Sequence, residues 1–143
     1  NDAVRQALAT DKTIDITTIG KRSGQPRKTE IWFMYIEERV FITGTPGPRD
    51  WYANVVANRE FTFHLKESTK IDLTAWACPV IEPEERRRVM SAPETEWYRG
   101  RATMDQLIAG SPMVEVQFND LISIEPMVGY EPSFAMLEVT VFE

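Results

Sequence analysis

Thr17 to Trp32, TTIGKRSGQPRKTEIW, sets four cations, two glycines and a proline between two apolar, β-branched runs. Ile14 to Ile19 reads as a strand, Ser23-Gly24-Gln25-Pro26 as a turn and Arg27 to Ile36 as the returning strand, so the stretch is a hairpin. Lys21, Arg22, Arg27 and Lys28 stand in it with no carboxylate between Gly20 and Lys28, in a chain whose formal net charge is -6. The basicity is local and calls for a local cause. Gly20 and Gly24 permit positive φ and would leave backbone N–H groups uncovered beside the cations. A phosphate or carboxylate would find N–H donors there and bidentate partners in Arg22 or Arg27. A solvated hairpin tip whose charges protect a sheet edge would carry the same residues.

Outward from the hairpin the pattern stays mostly β. Val4, Ala7 and Leu8 are spaced for a short helix over Ala3 to Thr10, suited to pack across an open barrel end. The return strand is apolar throughout from Ile31 to Ile36 (IWFMYI), as expected of a strand covered on both faces. Glu37-Glu38-Arg39 makes a tight turn into a strand from Val40 to Thr43. GTPGPR, Gly44 to Arg49, is too rich in glycine and proline for regular structure. Asp50 would then N-cap a helix from Trp51 to Asn58, with Trp51, Tyr52, Val55 and Val56 facing inward. The N-terminal amides of that helix, beside Arg49, form a second anion-friendly feature. Phe61, Phe63 and Leu65, then Ile71, Leu73, Ala75 and Ala77, alternate with mostly polar residues as a hairpin around Glu67 to Lys70, ended by Pro79. Pro83-Glu84-Glu85 opens a further helix, and Glu94 to Gly110 holds one or two short ones. Val114, Val116 and Phe118 mark another strand, and Phe134 to Phe142 a last one. Five to seven strands in short antiparallel connections, with a few helices, predict a mainly β (α+β) fold, a small barrel with helices over its openings.

A chain of 143 residues, 43% hydrophobic and 27% charged, reads as one globular domain over 1–143. One cysteine forbids an intramolecular disulfide and, with one histidine, leaves too few ligands for the usual structural zinc site; no metal is expected. A reducing cytoplasm is the expected setting. No apolar run approaches the roughly 20 residues of a membrane span, so no stable membrane insertion is expected. The acidic balance disfavours nucleic acid as partner, because phosphate binding there needs a broad basic face. The chain starts at Asn1 without a methionine, as it would if an upstream piece were missing.

Protein-borne catalysis finds little support. His64 falls on the polar face of its strand with Lys66, Cys78 beside Trp76 reads as a buried inert thiol, and Glu84-Glu85 is explained by helix capping. What remains is the basic turn, the Gly/Pro loop leading into a helix N-terminus, and the aromatics Trp32, Tyr35, Trp51, Tyr52, Trp97 and Tyr98. Together these suit a flat apolar ring with an anionic tail, a cofactor that carries the redox chemistry itself.

At these residues the chain resembles the deazaflavin-dependent nitroreductase and quinone reductase family, a branch of the flavin-reductase-like split β-barrels. The likeness rests on TTIGKRSGQPRKT (Thr17 to Thr29), on DWYANVVAN (Asp50 to Asn58) and the strand after it, and extends through ERRRVMSAPETEWY and SPMVEVQF to Phe118. It implies a small split β-barrel of the FMN-binding type that binds reduced coenzyme F420 and passes its hydride to a quinone, nitroaromatic or activated alkene. Cofactor contacts are then expected from Lys21, Arg22, Ser23, Gly24, Pro26, Arg27 and Thr29 on the turn, from Thr43, Gly44, Gly47 and Arg49 on the loop, and from Trp51, Tyr52 and Asn54 on the helix. Tyr35, Tyr52, Tyr98 and Tyr130 are candidate proton donors. The loop is shorter than in many members, and Glu30-Ile31 stands where they often carry Pro-Leu. Glu30 would either repel a polyanionic tail or point away from it. Rival readings are an FMN-dependent oxidoreductase like the pyridoxamine-phosphate oxidases, possible as a homodimer, and a non-catalytic carrier of lipid, haem or oxidised coenzyme.

Overall fold

The computed structural model describes residues 1–118; the expected last strand, Tyr130 and the turn-rich stretch 119–133 lie outside them. Seven strands, β1 (Thr13–Ile19), β2 (Pro26–Trp32), β3 (Met34–Ile36), β4 (Arg39–Thr43), β5 (Glu60–Leu65), β6 (Ile71–Pro79) and β7 (Met113–Phe118), form one antiparallel sheet in the order β2-β1-β5-β6-β7-β4-β3. The two strands at the ends of that order are consecutive in sequence. β2 pairs with β1 and β3 with β4, and Phe33 between them leaves both ladders, its amide donating to the Lys12 carbonyl at 3.0 Å. The single strand expected over Arg27 to Ile36 is therefore two, and the bend at Phe33 lets one run of chain serve both edges of a curled sheet. Sequence alternation does not reveal this, because both halves are extended and the apolar run Ile31 to Ile36 continues through the break.

Inside the curl lie Ile14, Ile16, Val40, Ile42, Phe63, Leu65, Leu73 and Val116, with Phe63 edge-on to Phe33 and Phe118. Helix α1 (Asp2–Thr10), capped by the Asn1 side chain, packs Val4, Ala7 and Leu8 into this cluster, and α2 (Asp50–Ala57) adds Trp51 and Val55. A second cluster forms where Met34, Ile36, Phe41 and Met113 turn outward beneath α3 (Pro83–Ser91), a 3-10 turn (Pro93–Thr95), α4 (Glu96–Arg99) and α5 (Met104–Gly110). β4 is thus buried on both faces, with Val40 and Ile42 inward and Phe41 outward. Burial of each large side chain stabilises the fold by about 1.5–3 kcal/mol.

The stretch Ile31 to Ile36 is covered less evenly than its composition suggests: Phe33, Met34 and Ile36 are buried, whereas Trp32 is 44% exposed. Val56, expected to face inward, is exposed, because the α2 face is only wide enough for Trp51 and Val55 with Tyr52 at its margin. Cys78 is half-buried rather than buried. Glu37 and Glu38 both adopt left-handed φ, 52° and 64°, in the tight turn from β3 to β4.

Candidate functional site

The basic turn is held by its own backbone. The Gly20 amide donates to the Gln25 carbonyl at 2.8 Å, Gly24 to Gly20 at 3.0 Å, and the Gln25 amide to Ser23 Oγ at 3.1 Å. The Lys21 amide donates to Asn54 Oδ1 at 2.8 Å. Four of the turn's N–H groups are therefore engaged within the protein, and its cationic side chains stand around them. Lys21, Arg22, Ser23, Gly24, Pro26, Arg27 and Lys28 are all exposed. Gly24 has the expected positive φ, 70°, whereas at Gly20 a Cβ would lie 2.4 Å from Ser23 Oγ, so a side chain there would force the serine hydroxyl to turn away from the Gln25 amide.

Asp50 is the first residue of α2 rather than its cap. Arg49 occupies the cap position in extended backbone and gives no side-chain cap. Its guanidinium instead folds back into the 44–49 loop, donating to the carbonyls of Gly47 at 3.0 Å and Thr45 at 3.0 Å and to Thr45 Oγ1 at 2.9 Å. A short loop of glycines and prolines has few side chains to order it, and one planar fork with several donors supplies that order. Asn54, in mid-helix, accepts from Lys21 and reaches Thr18 Oγ1 at 3.4 Å, tying α2 to the buried end of β1.

An open cleft of about 330 Å³ lies between the end of β2 (Glu30, Ile31, Trp32), the start of the loop (Thr43, Gly44, Thr45, with Arg49) and Trp97 and Tyr98 of α4. Tyr98 is buried; its hydroxyl lies 3.5 Å from the Thr43 carbonyl, and burial raises its pKa against a smaller lowering by Arg49. Trp97 stands edge-on to both Trp32 and Tyr98, at 5.4 and 5.5 Å between ring centroids. Of the candidate proton donors, Tyr98 borders this cleft. Tyr35 sits near Glu38 and Arg5, its pKa raised mainly by burial, and Tyr52 packs edge-on against Trp51. Trp51 and Tyr52 pack α2 against the core and Asn54 bonds it to the basic turn and to β1; none of the three lines the cleft.

Glu30 sits with its carboxylate bonded to Lys66 Nζ, which also donates to Asp15 Oδ1 at 2.9 Å. Its charge is balanced on the outer face of the sheet. On that same face His64 is wedged between Thr17 Oγ1 at 2.7 Å and Asp72 Oδ1 at 2.8 Å. A larger cavity, about 360 Å³, opens between Ile36, Phe41 and Val89, where Glu85 bridges Arg39 and Arg88 and Arg39 also pairs with Glu115.

A family model for F420H(2)-dependent quinone reductase matches residues 2–107. The chain belongs to that family. Its relatives among solved structures share the split-barrel fold. A conserved hypothetical protein from Mycobacterium tuberculosis superposes with a TM-score of 0.65 at 21% identity, over 83% of this chain and 80% of that one. A structure described as an F420 reductase gives 0.59 at 16% identity, covering 80% and 92%. The haem storage protein HutZ from Vibrio cholerae gives 0.57 at 15%, covering 82% and 87%.

For this quinone reductase family member the sequence left one structural residue unremarked. Arg86 is buried, and its guanidinium donates to the carbonyls of Ile108 (2.7 Å), Val80 (2.7 Å) and Ser111 (2.6 Å), fastening α3 to α5 and to the end of β6. Nothing in the run Arg86-Arg87-Arg88 separates it from its neighbours except helical phase, which places it with Val89 and Met90 on the buried side.

Proposed function

We propose that the chain is a reduced-F420-dependent oxidoreductase, acting as one split-barrel domain, that reduces a quinone, nitroaromatic or activated alkene. Family membership supports the coenzyme. The observation that carries the placement is the course of β2, an exposed edge strand running from the basic turn at Pro26 to the cleft at Glu30. That course covers about 13 Å at roughly 3.3 Å per residue. A ligand with a ring in the cleft and an anionic tail along the strand would set the tail among Lys21, Arg22 and Arg27. Thr43, Gly44, Gly47 and Arg49 would shape the ring's end of the site, and Thr29 would flank the path.

The coenzyme supplies the hydride. The protein's own part is to hold the ring, keep the acceptor against it and provide a proton. Tyr98 is the donor this reading favours: its burial keeps the hydroxyl protonated at neutral pH, and it borders the cleft beside Arg49. Hydride and proton together convert the two carbonyls of a quinone to the two hydroxyls of the hydroquinone, the proton going to the oxygen that hydride transfer leaves negatively charged. The reading also takes a reducing cytoplasm as the setting and allows a homodimer, which light scattering would measure. Among the described residues no helix is long and apolar enough to cross a membrane.

Equilibrium binding of F420, followed by its fluorescence beside FMN and FAD at two salt concentrations, tests the reading. Tight, salt-sensitive binding of the deazaflavin alone is expected, and an Arg22→Ala/Arg27→Ala double variant should lose it while unfolding normally. Preference for FMN, or unchanged affinity in the double variant, would remove the basic turn from the site.

A further inference from the structure

Beside Trp97, which lines the cleft, the Arg101 guanidinium carbon lies over the indole ring 3.4 Å from its centroid, with Nη1 donating to the Trp97 carbonyl at 3.2 Å. Trp97 and Trp32, 45% and 44% exposed, leave aromatic surface open beside it. Among the described residues no carboxylate pairs with Arg101 or with Arg49, whose partners are carbonyl and hydroxyl oxygens. Glu30, the acidic residue in the cleft wall, is bonded to Lys66. Two guanidiniums without counter-charges among the described residues therefore stand at one cleft in a chain of net charge -6. Each has its orientation fixed, so little side-chain entropy remains to be lost when it binds an anion.

We propose that Arg101 is a specificity-determining residue that selects flat acceptors carrying an anionic oxygen substituent, the ring lying against Trp32 and Trp97 and the anion against the outer edge of the guanidinium. This rests on the oxidoreductase reading above for its catalytic consequence, but the binding it requires does not. Stacking supplies affinity for the ring, and the guanidinium supplies the preference for charge.

The experiment has two arms. In the first, wild type, Arg101→Met and Arg101→Lys are assayed with F420H2 and a naphthoquinone pair differing by one sulfonate. The Met variant keeps the stem over Trp97 and loses the charge. Its kcat/KM should fall about fivefold for the sulfonated acceptor and stay within about twofold for the neutral one, the change lying in KM. The Lys variant should recover part of the loss. In the second arm, equilibrium dialysis without coenzyme compares 2-naphthalenesulfonate with 2-naphthol, and the same selective loss is expected. Equal effects on both members of a pair would overturn the proposal, as would failure of wild type to prefer the sulfonate in dialysis. If neither quinone is reduced, the oxidoreductase reading fails and the dialysis arm alone decides the anion site.

Discussion

Asn54 Oδ1 and the Lys21 amide, 2.8 Å apart, join the middle of α2 to the basic turn 33 residues earlier. Through this bond the helix sets where the turn's cations stand. Asn54→Ala is expected to lower stability by about 0.5–1 kcal/mol, since the bond is solvent-exposed and water can take the place of the lost partner at the Lys21 N–H. Asn54→Asp, which keeps an acceptor oxygen, should recover most of that. If the turn holds the coenzyme tail, the Ala variant should also bind F420 several-fold more weakly. Urea unfolding and fluorescence titration measure the two effects separately.

Arg86 presents the opposite balance, a buried charge satisfied only by carbonyls. Burial lowers its pKa from the ordinary guanidinium value, yet arginine remains charged at neutral pH. Arg86→Met matches the stem but strands three carbonyls, and a loss of about 3 kcal/mol or more is expected in urea unfolding. Arg87→Met, an exposed neighbour, should change stability by less than about 0.5 kcal/mol.

The contrast between these two arginines marks what the sequence could carry. Alternation in β5, β6 and β7 is visible because one face of each strand meets the core and the next residue does not. The split at Phe33 is set by which neighbour each half pairs with, a tertiary fact that leaves no period in the sequence. The turn was legible as a cluster of cations, but the fate of its amides was not, because Lys21 finds its partner in a distant helix. Tyr35, Tyr52 and Tyr98 look alike in sequence. The cleft separates them only because α4 and the end of β4 converge on Tyr98.

Acid should unfold the protein through a small set of paired carboxylates. Lys66 hydrogen bonding holds Asp15 below the ordinary carboxylate pKa, the Thr13 and Lys12 amides do the same for Glu67, and Arg88 and Arg39 for Glu85. A depressed folded pKa contributes stability that is present above the unfolded value and lost as pH falls through the folded one. Tm is therefore expected to decline below roughly pH 4.5. Lys66 has a raised pKa, through bonding to Asp15 and Glu30, so its contribution is present below its unfolded pKa and lost at strongly alkaline pH. Circular dichroism melts across pH should show a neutral plateau, and Asp15→Asn should flatten the acid limb. A variant limb as steep as wild type would remove Asp15 from the account.

Tyr98→Phe isolates the proposed proton donor. The ring is buried and edge-on to Trp97, so Phe keeps the packing and removes only a hydroxyl whose bond to the Thr43 carbonyl is long, 3.5 Å. Stability should fall by less than about 1 kcal/mol, because little hydrogen-bond energy is lost. With F420H2 and a quinone, kcat should drop by about 10²-fold, the lower end of what a positioned general acid contributes, while F420 affinity stays within about twofold. Tyr35→Phe and Tyr52→Phe, placed away from the cleft, should leave kcat within about twofold. The pH profile separates a proton donor from a packing residue. Wild type should lose activity at high pH as the Tyr98 hydroxyl ionises, above the ordinary tyrosine pKa because burial raises it, and that limb should be absent in Tyr98→Phe. An unchanged kcat with an unchanged alkaline limb would move the proton source elsewhere.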